Sequence, residues 1–191
     1  MTADRLDPRR PEQPPERLWT RVGTLAHCAH AFYELASGVG MPLASRVGPA
    51  PSAALFGGGS LLLIRGAGRQ PRSRDPAFAV ANAMFLSAVL AHLTGWPRTR
   101  VAGLPWLIEC EGLSGRLMVP YNLVLYTSGV AAIGGLVETG RDRPWRTAAI
   151  GAAVPAVLVP WLIQLQHDEH DRLRAQARRR PRWWNRRLRR P

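Results

Sequence analysis

The sequence predicts an all-α, polytopic membrane helix bundle of about four transmembrane helices. Three observations carry that prediction. Segments 76–97, 117–137 and 147–166 each run for twenty residues or more without Asp, Glu, Lys or Arg. The chain as a whole is 20% charged, and that charge is gathered in the ends and short connectors. Each charge-free segment can cross a hydrocarbon core of about 30 Å as a helix rising about 1.5 Å per residue. The mean hydropathy of −0.13 therefore averages apolar spans against charged tails.

Residues 1–17 hold four Arg against four acids and include the run RPEQPPE. They read as a short disordered tail rather than a cleavable signal peptide, so the first helix is expected to act as an uncleaved signal. Block 22–47 is the least apolar candidate span. It contains His27, His30 and Glu34, and Pro42 is expected to kink or end it. Block 50–64 has only fifteen residues and holds the triplet Gly57-Gly58-Gly59. Its length and glycines suit a short span, a re-entrant segment or a packed loop, a possible fifth element.

Residues 65–75 form a polar connector. The span 76–97 ends in Trp96-Pro97, with the indole suited to the headgroup zone. Residues 98–116 are too short and too acidic to cross, and are expected to lie at the interface, anchored by Trp106. The spans 117–137 and 147–166 follow, the latter bent by Pro155 and Pro160. The tail, 167–191, is expected to continue the last span as a helix for several turns. The resulting division is a tail to residue 17, a helical membrane domain over 18–166, and a basic cytoplasmic tail over 167–191.

Arginine placement sets the expected topology. With 22–47 crossing and 50–64 not, and both ends inside, 18 arginines lie inside and 8 outside. With both blocks crossing, the split is 14 to 12. Four spans in the cell membrane, with both termini cytoplasmic, is the preferred arrangement. All 26 basic residues are Arg, which reads as codon bias. Ten of them stand in the tail against three acids, beside Trp183 and Trp184. Next to a membrane, that composition favours anionic headgroups over nucleic acid. The two cysteines, Cys28 and Cys110, do not form a disulfide framework.

Candidate chemistry centres on His27, His30 and Glu34. Their i, i+3, i+7 spacing puts them on one helix face, which must turn into the bundle because imidazole and carboxylate are costly against lipid. They can act as a proton relay. The set can also offer two nitrogens and an oxygen to zinc or iron, but the spacing is permissive and no metal is assigned. Tyr121, Asn122 and Tyr126 on the 117–137 helix, with Asn82 and His92 on the preceding span, are expected to complete a polar pocket. Interhelical hydrogen bonding alone would also account for them. Glu109 and Glu111 flank Cys110 and read as interfacial charge, and His167 and His170 as part of an exposed mixed-charge face. There is no phosphate loop, dinucleotide fingerprint or nucleophile elbow.

The function expected is an intramembrane polar pocket for a lipid-, quinone- or isoprenoid-like ligand. The alternatives are a non-catalytic membrane subunit or scaffold, and a small transporter or channel that works as a homo-oligomer. No cofactor follows from the sequence.

Overall fold

The computed structural model describes residues 16–189. The expected disordered tail, through residue 15, lies outside them. The architecture is a bundle of five long helices with two β-hairpins and a returning C-terminal segment at one end.

Helix α1 (Leu18–Ser37) ends at Gly38, whose φ of 78° is left-handed. There the Gly38 and Val39 amides bond to Leu35 and Glu34 carbonyls, satisfying groups the helix end would leave open. A short helix, α2 (Ala44–Val47), turns the chain. Helix α3 (Pro49–Ala67) then runs back beside α1. Helices α3, α4 (Asp75–Gly95) and α6 (Pro144–Arg179) each carry proline in the first turn, where its missing N–H costs nothing. Helix α5 (Met118–Thr139) packs on α1 and α4, and α6 packs chiefly on α4.

Three of these helices, α4, α5 and α6, are long and apolar enough to cross a membrane. Leu25, Leu62, Met84, Leu123, Val130 and Val157 point outward from the bundle, as lipid-facing side chains do. The apolar window of α6 is only 6% buried, against 44% for α4 and α5. At 36 residues α6 is about 54 Å long. It passes through Pro155 and Pro160 and projects well beyond a hydrocarbon layer.

Of the three forms expected for residues 50–64, the packed loop is ruled out: they lie within a 19-residue helix. A Cβ on Gly58 or Gly59 would meet nothing, so the glycines mark an open helix face, not a break. Because α3 makes a full return pass, the two ends of the described chain lie at opposite ends of the bundle rather than together. Arg17 marks one end. It is 1% exposed and binds Asp75 at 2.6 Å and the Ala67, Gln70 and Pro71 carbonyls, fastening the start of α1 to the α3–α4 connector. It thus belongs to the bundle, not the tail. Arg187 marks the other end: its amide bonds to Gly38 O at 3.0 Å and its Nε to Ser37 O at 3.0 Å.

The segment expected at the interface folds as two hairpins, so the bundle is not purely helical. Strand β1 (Arg98–Val101) pairs antiparallel with β2 (Leu104–Leu107), with Arg98 opposite Leu107. Strand β3 (Glu109–Cys110) pairs with β4 (Leu113–Ser114). Each turn has two residues at positive φ: Ala102 and Gly103 at 50° and 81°, Glu111 and Gly112 at 49° and 86°. That is the turn whose twist suits a tight hairpin. The apolar core sits under these hairpins, built from Leu35, Val39, Met41, Leu107, Leu113, Leu125 and Leu173, with Leu188 closing over it.

Candidate functional site

Beneath the hairpins, α1, α4, α5 and the β3–β4 turn bring polar side chains to one buried point. His30 and Glu34 stand one turn apart on α1, with His30 Nε2 2.8 Å from Glu34 Oε1. Tyr121 on α5 donates its hydroxyl to Glu34 Oε1 at 2.9 Å. The same hydroxyl lies 3.1 Å from His30 Nε2 and 3.3 Å from Cys110 Sγ. His92 on α4 places Nε2 4.0 Å from Glu34 Oε1. The Glu111 carboxyl comes within 4.8 Å of the ligand atoms of His92 and Cys110 at the edge of this cluster.

His92 has a defined polarity. Its Nδ1 is 2.7 Å from the Ala88 carbonyl, which can only accept, so the proton sits on Nδ1. Gln166 Nε2, 3.1 Å from the same nitrogen, packs there without donating. His92 Nε2 therefore carries a lone pair, buried and without a hydrogen-bond partner, directed at the carboxyls.

Glu111 occupies a left-handed position that glycine or asparagine normally takes in such a turn. It is half-buried as a residue, with its carboxyl turned inward. Burial, and then the neighbouring Glu34 carboxylate, push that carboxyl well above the ordinary range. Burial and Glu111 likewise push the Cys110 thiol up. Gly112 is favoured by its left-handed φ of 86° and by the Leu188 side chain lying where a Cβ would stand.

The sequence-selected residues divide into four sets. His30, Glu34, His92 and Tyr121 meet. His27 does not join them: it lies about 10 Å along the helix axis from Glu34. Its ring stands 4.8 Å from Phe85 and 6.4 Å from Phe56, with His30 6.3 Å away. Asn122 and Tyr126 hold the first hairpin. Asn122 accepts from Leu107 N at 3.0 Å and donates to Leu107 O at 3.0 Å, and the Tyr126 hydroxyl donates to Pro105 O. Asn82 lies near the Arg17 end, donating to Thr20 Oγ1 at 2.9 Å.

Glu111 and Cys110 are the site residues that sequence reasoning missed. The available signal was Glu-Gly between two short alternating runs, which marks a two-residue turn. His167 and His170, read as an exposed face, pack against Trp96, with ring centroids 4.5 and 5.5 Å away.

Two cavities lie away from this cluster. One of about 640 Å³ is lined by Arg72, Asp75, Arg143 and Arg146. The other, about 470 Å³, is a groove between α3 and α4 lined by Gly59, Leu62, Leu63 and Phe78, with Gln70 and Arg74 at its polar end. Phe56, beside His27, is less than one turn from Gly59. Comparison with known protein families, curated proteins and solved structures finds no match for this chain.

Proposed function

We propose that this chain is a multi-pass membrane protein that takes an apolar-tailed ligand of the lipid, quinone or isoprenoid class and handles a proton at the His30/Glu34/Tyr121 cluster. One observation carries the reading. Glu34 is 2% exposed, and among the described residues its ion-pair partners are histidines, not arginines. Taking a carboxyl and two imidazoles out of water costs several kcal/mol, and an apolar core of the same volume would avoid that cost. The groove between α3 and α4 opens sideways, toward the space a bilayer would fill. His27 lies on the same helix as the cluster, its ring beside Phe56 and Phe85 and 6.3 Å from that of His30. Tyr121 couples His30 to Glu34, while Asn122 and Tyr126 hold the hairpin cover in place. The cluster end carries 14 of the 26 arginines if all five helices cross. It is assigned to the cytoplasmic side, with the Arg/Trp tail on anionic headgroups.

The test is photolabelling in nanodiscs with diazirine-bearing phospholipid and isoprenoid probes. Peptides 56–66 and 77–85 should label above the outward face of α6, and Gly59→Phe should suppress that excess. Uniform labelling of all outward faces would overturn the ligand assignment. A second reading, a membrane subunit, is favoured by the uncovered apolar half of α6. Native mass spectrometry from nanodiscs would then show a stoichiometric partner or second copy.

A further inference from the structure

We propose that His30, Glu34, His92 and Glu111 form a binding site for one first-row transition-metal dication of the zinc or ferrous-iron type. This rests on the reading of the cluster as the working site, and assigns it a cofactor class.

The ligand atoms of His30, Glu34 and His92 lie within 4.8 Å of one another, and so do those of His92, Cys110 and Glu111. Three donors at that separation leave a point about 2.8 Å or less from each. Shifts of under about 1 Å would bring them to the 2.0–2.2 Å bonds of a zinc-like ion. The first triad draws its donors from α1 and α4, and the second adds the Glu111 carboxylate from the hairpin turn beside the shared His92. Imidazole nitrogen with carboxylate oxygen suits zinc, iron or manganese rather than calcium or magnesium.

An independent observation concerns His92. The residue is 6% exposed, and its Nε2 lone pair has no partner. Its other nitrogen donates to a backbone carbonyl at 2.7 Å. Metal-binding histidines are held in this way, with the outer N–H fixing the tautomer so that the inner lone pair faces the ion. An orphaned imidazole nitrogen aimed at two carboxyls has no packing explanation.

Charge gives the third argument. With Glu34 and Glu111 bound as carboxylates and His30 and His92 as neutral imidazoles, one dication would leave the site neutral overall in a low-dielectric interior. The left-handed backbone at Glu111 fits this assignment: the turn keeps a carboxylate where glycine would be easier.

The full chain, purified in detergent through a tag without histidine and stripped with chelator, is titrated separately with Zn²⁺ and Co²⁺. One equivalent per chain is expected, with visible d–d bands from Co²⁺ in an N/O site. His92→Gln and Glu34→Gln should each weaken binding by more than about 100-fold, beyond the 10–100-fold that a lost outer partner costs. Cys110→Ser should change affinity by less than about tenfold, and His170→Ala not at all. Helical circular dichroism and monodisperse elution establish that each variant is folded. Substoichiometric binding by the wild type, or unchanged affinity in folded His92→Gln, would overturn the proposal. If metal fails while the diazirine probes still map to the groove, only the metal assignment falls. If metal binds and labelling is uniform, the ligand reading falls instead.

Discussion

Asn122 determines whether the hairpin cover stays closed, so Asn122→Ala tests the link between fold and site. Its side chain satisfies both the N–H and the C=O of Leu107, which is fully buried. The third contact, to Met118 O, is dispensable because helix hydrogen bonding already serves that carbonyl. Removing the carboxamide orphans two buried backbone groups at about 1–3 kcal/mol each, or about 2–6 kcal/mol together. The hairpins are small, and the chain escapes this cost by letting them open rather than by unfolding the bundle. Even about 2 kcal/mol raises the open population roughly 30-fold. Cys110 reports that opening, since it is 0% exposed when the cover is shut. In a Cys28→Ser background, which removes the half-buried second thiol, the rate of Cys110 alkylation should rise at least about 30-fold in Asn122→Ala. Helical circular dichroism should stay at the wild-type value. Alkylation at the wild-type rate would show that Asn122 does not hold the cover, and the account of the hairpins as a lid on the cluster would fail.

Arg17→Ala breaks a buried ion pair and leaves three carbonyls without their donor, for a loss of about 3–5 kcal/mol; thermal scans in detergent should show it, and Arg17→Lys should not restore it, lacking the planar fork. Gly112→Ala should push Leu188 off the turn, and limited proteolysis should then cut within residues 181–189 much faster than in the wild type. Gly135→Ala forces a methyl group against the Asn82 carboxamide, and should lower thermal stability by about 1–3 kcal/mol. Asn82→Ala in the same chain should recover part of that loss, which a double-mutant cycle would read.

The apolar spans were legible because lipid-facing helices must exclude charge over their whole length, and that leaves long gaps in the charge pattern. Helices α1 and α3 were harder for opposite reasons. In α1 the polar residues that lower its hydropathy, His30, Glu34 and Thr24, point inward, and composition does not register direction. In α3 the glycine triplet suggested a break, but packing against α1 overrides a weak local propensity. Counting only one of the first two blocks as crossing then placed both tails on one side. The i, i+3, i+7 face of α1 was sound as an angular argument, yet it ignored axial distance, which leaves His27 outside the cluster. Tyr121 and His92 were visible as polar residues in apolar spans. Glu111 was not, because a carboxylate in a two-residue turn has the local pattern of an exposed one. Its inward placement depends on the tertiary fold, which brings the turn against His92 on α4.

The returning C-terminal segment also fixes an order of events. Arg187 and Leu188 are translated after every helix of the bundle, yet they lie on Gly38 and over the Glu111-Gly112 turn. The turn that carries Glu111 is therefore walled on its outer side by residues far downstream in sequence, so the cover closes only when the last described segment has docked.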